Sequence, residues 1–162
     1  MGSEKVRADI LATGHPRWKS AQIEISANPA TIFALISNPH RHKDFDGSNT
    51  IKSNFSGPEK LSLGARFGMK MRLGINYQVT NIVLEYKESE LLGWRHFGRW
   101  IWRYELVDLG NGKTRVTESF DARNSPLISR LWLSYRKAYP WTELACAKSL
   151  VRLKGLVESE QS

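Results

Sequence analysis

The sequence predicts an α+β fold in which one curved antiparallel sheet wraps around a long C-terminal helix. Three observations lead there. Between residues 51 and 120, apolar and polar residues alternate in short runs separated by turn residues, the pattern of consecutive hairpin-linked strands. After Ser125-Pro126 the period changes to that of helices and holds to the end of the chain. A sheet with one apolar face also needs a cover, and only the final helix is long enough to supply it.

The chain of 162 residues fits a single domain, and a domain of this size buries about 70% of its unfolded surface. Hydrophobic residues at 41% and charged residues at 25% exclude a disordered composition. A single cysteine, Cys146, excludes an internal disulfide framework and a multi-cysteine zinc site. No apolar stretch approaches the roughly 20 residues of a membrane span. The polar N-terminus lacks the apolar core of a secretory signal, so a cytoplasmic location is expected.

Residues 1–18 show no sustained period and contain Gly14 and Pro16. They are expected to form a flexible N-terminal arm ahead of a single domain over 19–160. Ile23 and Ile25 alternate with Gln22, Glu24 and Ser26 in a half-buried strand. Asn28-Pro29 then supplies a helix cap and a first-turn proline. Ile32, Phe33, Leu35 and Ile36 form one side of a short helix that Asn38-Pro39 stops, and a second helical turn follows over 40–45.

The strands come next. Residues 51–55 lead to a turn at Gly57-Pro58, and 66–73 place Phe67, Met69, Met71 and Leu73 opposite Lys70 and Arg72. Residues 77–86 and 91–97 follow. Over 100–107, Trp100, Trp102, Tyr104 and Leu106 share a face. Gly110-Asn111-Gly112 is a hairpin turn, after which Val116, Glu118 and Phe120 point one way. Ser125-Pro126 is expected to start a helix whose apolar stripe is Leu127, Leu131, Tyr135 and Ala138, with Trp132 beside it. Pro140 must kink or restart that helix, and Cys146, Leu150 and Leu153 continue the stripe.

This order of elements resembles the START-like, helix-grip (SRPBCC) superfamily, and within it the polyketide cyclase/dehydrase and lipid-transport group. The likeness rests on Ile23-Glu24-Ile25-Ser26-Ala27-Asn28-Pro29, on Ile32-Phe33-Ala34-Leu35-Ile36 and on Leu92-Gly93-Trp94-Arg95. It continues in residues 102–106, in 112–119 and in Ser149-Leu150-Val151-Arg152-Leu153-Lys154, and covers about residues 20–158. It implies a helix-grip fold with a hollow between sheet and helix that takes a hydrophobic small molecule: a lipid, an isoprenoid or an aromatic polyketide. The superfamily holds cyclases as well as carriers and receptors, so the likeness leaves enzyme and binder both open.

The inward face of the sheet is the expected ligand-binding surface. Phe67, Met69, Met71, Trp94, Trp102 and Tyr104 provide flat or adaptable apolar area, although the same side chains also suit a filled core. His96 shares strand parity with Trp94. Asn49, after the Asp46-Gly47 turn, and Tyr135, on the stripe of the first C-terminal helix, complete the candidate set. Glu118 is the sharpest anomaly, because parity sends a carboxyl group inward. Desolvation raises its pKa and suits it either to proton transfer or to a structural pair with Arg95, Asn49, Tyr104 or His96.

His40, His42, Asp44 and Asp46 crowd together, but a short turn between two breaks is a poor frame for a metal. A polar loop at the cavity mouth is expected, with no metal and no cofactor. Net charge is +8, and between Arg123 and Lys154 seven basic residues meet one acid, Glu143. No nucleic-acid motif accompanies that charge, so nucleic acid is not an expected partner. Peripheral contact with an anionic membrane or an acidic protein is a further alternative, through the basic C-terminal helix. Oligomeric state is not legible in the sequence.

Overall fold

In the computed structural model, which describes residues 5–162, eight strands form one antiparallel sheet. They are β1 (Asp9–Leu11), β2 (Trp18–Ile25), β3 (Ile51–Ser56), β4 (Arg66–Leu73), β5 (Ile75–Lys87), β6 (Leu91–Arg95), β7 (Ile101–Gly110) and β8 (Lys113–Asp121). Their order across the sheet is β1-β2-β8-β7-β6-β5-β4-β3. Helices α1 (Pro29–Ile36) and α2 (His42–Phe45) flank a single 3-10 turn, and α3 (Leu127–Tyr135) and α4 (Ala138–Glu160) close the chain. Residues 1–4 of the expected arm, and the side chains of Asn54, Phe55 and Leu73, lie outside the described residues.

The local chemistry accounts for most boundaries. Asn28 caps α1 by accepting from the Thr31 amide at 2.9 Å, with Pro29 in the first turn, and the helix buries Ile32, Phe33, Leu35 and Ile36. The β7–β8 hairpin turns on Asn111 and Gly112 with φ of 53° and 70°, the left-handed pair that a two-residue turn between twisted strands requires. Alternation puts Phe67, Met69, Val79, Val83, Leu92, Trp94, Tyr104, Leu106, Val116 and Phe120 in one buried core.

Helix α4 packs across β2 and β8. Its buried stripe is Thr142, Ala145, Cys146, Ser149, Leu150, Leu153 and Val157. Lys154 donates to the Glu24 carbonyl, and the Ser26 amide donates to Glu158, both at 2.9 Å, so the far end of the helix is tied to β2 and the residue after it. Small residues face the 46–49 loop. The Gly47 amide donates to the Ser149 hydroxyl at 2.8 Å, while Arg152 donates to the Asp46 carbonyl and, at 2.9 Å, to Asn49 Oδ1.

Four expectations change. Residues 9–11, placed in a mobile arm, instead form the edge strand β1 against Ser20–Gln22, because the chain turns back at Gly14 (φ 74°) and the Thr13 hydroxyl holds the Trp18 carbonyl. Ser125 does not cap α3: Pro126 holds that position, and the Ser125 hydroxyl has no partner. Pro140 does not kink a helix. The chain breaks earlier, at Lys137 (φ 51°), and Pro140 falls in the first turn of α4, where its missing N–H costs nothing. The apolar stripe of α3 faces outward: Leu127, Leu131 and Tyr135 are exposed, and Leu133 is the residue turned to the core.

Gly47 marks where loop and helix meet. A Cβ there would lie 2.4 Å from both the Ala145 carbonyl oxygen and the Ser149 amide nitrogen. Gly47→Ala should therefore push the loop off α4 and lower the unfolding free energy by about 2–4 kcal/mol, from overpacking plus one lost hydrogen bond. Urea denaturation with an unchanged slope would show the effect as a shifted midpoint.

Candidate functional site

Between the concave side of the sheet and the helices lies a cavity of about 260 Å³. Strands β4 to β8 supply most of its floor: Met69 and Met71, Tyr77 and Asn81, Trp94, Trp102 and Tyr104, Glu118 and Phe120. Helix α2 adds His42 and Phe45, and α4 adds Thr142, Ala145 and Ser149. The exposed members, Trp132, Arg136 and Trp141, mark its mouth at the α3–α4 junction.

Aromatic contacts hold the wall rigid. His42 stacks on Trp94 at 5.0 Å, and Trp94 leans on Tyr104 at 5.9 Å. Nearer the mouth, His96 stacks on Trp100 at 4.8 Å and Trp100 on Trp132 at 6.2 Å, while Trp102 meets Phe120 edge-on at 5.0 Å.

Within this apolar wall four buried polar side chains carry unpartnered atoms. Asn81 is fully buried with neither its amide nitrogen nor its oxygen bonded, and His42 Nδ1, His96 Nδ1 and Glu118 Oε2 are also without partners. A buried orphan of this kind costs about 1–3 kcal/mol, and all four lie in residues that line the one cavity. His42 Nε2 lies 2.8 Å from the Ile36 carbonyl oxygen. A carbonyl only accepts, so Nε2 carries the proton and Nδ1 presents a bare lone pair.

Burial drives Glu118, Tyr104, His42, His96 and Cys146 toward their neutral forms. Burial pushes the Glu118 carboxyl well above the ordinary carboxylate range, further than the Tyr104 and Ser149 hydroxyls beside it pull it back. The same desolvation raises the Tyr104 hydroxyl and the Cys146 thiol, and lowers His42 and His96 to about 4. At neutral pH the cavity therefore holds two neutral imidazoles and an unbonded amide, with a Glu118 carboxyl biased toward its acid form and the Asp46 carboxyl in the lining beside α2.

The expected site residues divide. Met69, Met71, Trp94, His96, Trp102, Tyr104 and Glu118 line the cavity together. Tyr104 sits directly across from Glu118 in the β7–β8 register, and strand parity keeps Arg95 on the outer face. Three residues fall elsewhere. Phe67 is fully buried behind the wall, edge-on to His42 and Trp94. Asn49 is exposed and bound by Arg152. Tyr135 is 84% exposed on the outward side of α3.

Asn81 and Ser149 join the wall although they are not among the expected site residues, and His42, expected in a polar loop at the mouth, joins it from α2. Of the residues grouped with His42 in the sequence, His40 is exposed and Asp44 pairs with Arg41 at 2.6 Å, whereas Asp46 lines the cavity with His42 while accepting the Ser48, Thr50 and Ile51 amides. Cys146 is fully buried on α4.

No family model matches the chain. The uncharacterized protein Rv0088 of Mycobacterium tuberculosis strain H37Rv is 41% identical over 107 residues, 65% of this chain and 48% of that protein. A counterpart in strain CDC 1551, MT0096, is 40% identical over the same extent. The matched part thus spans about half the length of these curated relatives. Among solved structures, protein Ms6760 from Mycobacterium smegmatis superposes with a TM-score of 0.68 at 13% identity, over 96% of this chain and 99% of that one. The polyketide-cyclase-like protein Cgl2372 from Corynebacterium glutamicum gives 0.61 at 19% identity over 90% and 93%. The AHSA1-like protein from Aeromonas hydrophila gives 0.56 at 16% over 88% and 94%. The chain has the helix-grip, START-like fold. In this helix-grip protein the long α4 is the gripped helix, and the cavity lies beside it under β4–β8.

The sign of each pKa shift fixes how the helix-grip domain responds to acid. His42 and His96 are lowered from 6.5 to about 4, so their neutral forms cost no folding energy above pH 6.5. Stability falls as pH drops from there to about 4, because the unfolded chain takes the proton first. Each shift corresponds to about 3 kcal/mol. Denaturation series at pH 6.5 and 4 should show His96→Phe, which keeps the stack on Trp100, losing about 3 kcal/mol less than the parent chain.

Proposed function

We propose that this protein binds an uncharged, mainly apolar small molecule (a lipid, isoprenoid or aromatic polyketide) in the cavity beside α4, and holds it without converting it. The observation that carries this reading is the combination of a cavity of about 260 Å³ walled by tryptophans with lining residues whose buried polar atoms are unpartnered. Apolar ligand surface contributes about 25 cal/mol per Å² on entering such a space. Asn81, His42 and Glu118 then select orientation: Asn81 offers a donor beside an acceptor, His42 Nδ1 accepts, and protonated Glu118 donates. A carboxylate ligand finds no buried cation among these groups and is disfavoured. The naming of the Corynebacterium structure as polyketide-cyclase-like fits a ring-containing ligand.

One observation favours a second reading, proton transfer to a bound substrate. Glu118 is held protonated with a free oxygen opposite Tyr104, as a general acid requires. The two readings separate at Glu118→Gln. A holding site keeps ligand affinity within about threefold and yields no product from any ligand, whereas an acid catalyst loses turnover at least about a hundredfold.

The binding reading is tested with N-phenylnaphthylamine, an uncharged fluorescent two-ring probe, against dodecanoate as a charged competitor. The probe should bind, dodecanoate should fail to displace it at neutral pH, and Met71→Trp, which fills the cavity, should weaken probe binding at least about tenfold. No uptake by the parent chain refutes the proposal. Asn81→Leu should add about 1–3 kcal/mol to the stability of the empty protein, by removing two buried orphans, while weakening ligands that carry a carbonyl or hydroxyl.

A further inference from the structure

The helix α3 is inside out. Its apolar residues Leu127, Ile128, Leu131, Trp132 and Tyr135 recur one turn apart and form a single stripe, and all five are exposed, from 45% at Trp132 to 84% at Tyr135. A helix at a domain surface normally turns such a stripe to the core. The stripe does not end with α3. Trp141 and Leu144, on the first turns of α4, are also exposed, and Phe97 joins through Trp100, which contacts it at 5.4 Å and stacks on Trp132. An apolar patch this continuous marks a docking surface.

Charge says what kind of surface it meets. Arg130, Arg136 and Lys137 lie on or directly after α3, and Arg99 stands in the turn beside Phe97. The only acid between residues 123 and 157 is Glu143, already paired with Lys19 at 3.6 Å. Of the three basic residues of α4, Arg152 holds the 46–49 loop and Lys154 holds β2 and Glu158, which leaves Lys148 exposed. Arg99, Arg130, Arg136 and Lys137 around the α3 stripe thus outnumber the one exposed, unengaged cation of the long helix, Lys148. A second copy of the chain docked there by two-fold symmetry would set these cations against their own counterparts. An anionic lipid surface fits both features: Leu and Ile enter the acyl boundary, Trp and Tyr sit at the headgroup level, and Arg and Lys meet phosphate.

We infer that α3, with Phe97, Trp141 and Leu144, is a membrane-docking face that seats the cavity mouth on an anionic bilayer. Trp132 and Arg136 belong at once to this face and to the rim of the cavity. A molecule leaving the bilayer would thus pass into the cavity without crossing water. The docking itself stands whether or not the cavity takes a ligand.

Vesicle sedimentation of the full chain tests it, with phosphatidylcholine vesicles and phosphatidylcholine–phosphatidylglycerol vesicles. The parent chain should pellet with the anionic vesicles and bind them at least about tenfold more tightly than the neutral ones, with the difference shrinking in high salt. Ile128→Glu with Leu131→Glu, at two exposed positions outside the cavity wall, should weaken that binding at least about tenfold. The same double variant should take up N-phenylnaphthylamine in solution as the parent does, so loss of docking is read separately from loss of the cavity. The inference is overturned if the parent chain stays in the supernatant, if neutral vesicles bind it equally, or if the double variant pellets undiminished. It is also overturned if the parent is a dimer by sedimentation equilibrium that the double variant splits, since a second copy then covers the stripe.

Discussion

A helix with its side chains is about 10 Å across, whereas eight strands spaced about 4.8 Å apart span about 34 Å. One helix cannot fill the concavity of such a sheet, and this mismatch of widths governs the molecule. Helix α4 settles over β2 and β8, where small side chains at Ala145 and Ser149 let the Gly47 loop lie against its backbone. The inner faces of β4 to β7 are left to short α1, α2 and α3. Large aromatics compensate in part, since Trp94, Trp102 and Phe120 each reach across a strand spacing to touch a ring on a neighbouring strand. What they do not fill is the cavity.

That geometry also sets the electrostatics. At Glu118, Tyr104, His42 and His96 alike the loss of water outweighs whatever partner is gained, so desolvation dominates. The acid and the imidazoles respond to pH in opposite senses. The histidines cost nothing above 6.5, and their penalty grows as the pH falls toward about 4. Neutral Glu118 costs nothing below its ordinary value, and its penalty grows as the pH rises toward its raised folded value. Both kinds of group are biased toward their uncharged forms in the fold, which makes that bias a property of the architecture and not of one residue.

Most of the fold was legible because a half-buried strand writes its facing into alternate residues. The same rule that turned Glu118 inward also kept His96 with Trp94 and Arg95 outside. Applied to β5, it places Asn81 between Val79 and Val83, so the most polar spot in the wall was within reach of parity reasoning. Helices are less explicit. Periodicity shows that α3 has an apolar stripe but not which way it turns, and the usual assumption that a stripe faces the core put Tyr135 in the site. Asn49 and Phe67 failed for other reasons. The first depends on an Arg152 contact 103 residues away in sequence, and the second lies one layer behind the wall it supports.

Two departures from ordinary packing remain, and they meet at one place. Replacing Asn81 and the inward imidazoles by aliphatic residues, and turning α3 around, would each remove a physical penalty without disturbing the strand register. A void of this size and several orphaned polar atoms together cost several kcal/mol, comparable with the whole stability of a small domain. A chain that folds in spite of such penalties has them concentrated where function requires them. Here the deep orphans surround the cavity, and the exposed stripe surrounds its mouth. Trp100 and Trp132 stack between the two, so the polar lining and the apolar rim are parts of one continuous wall.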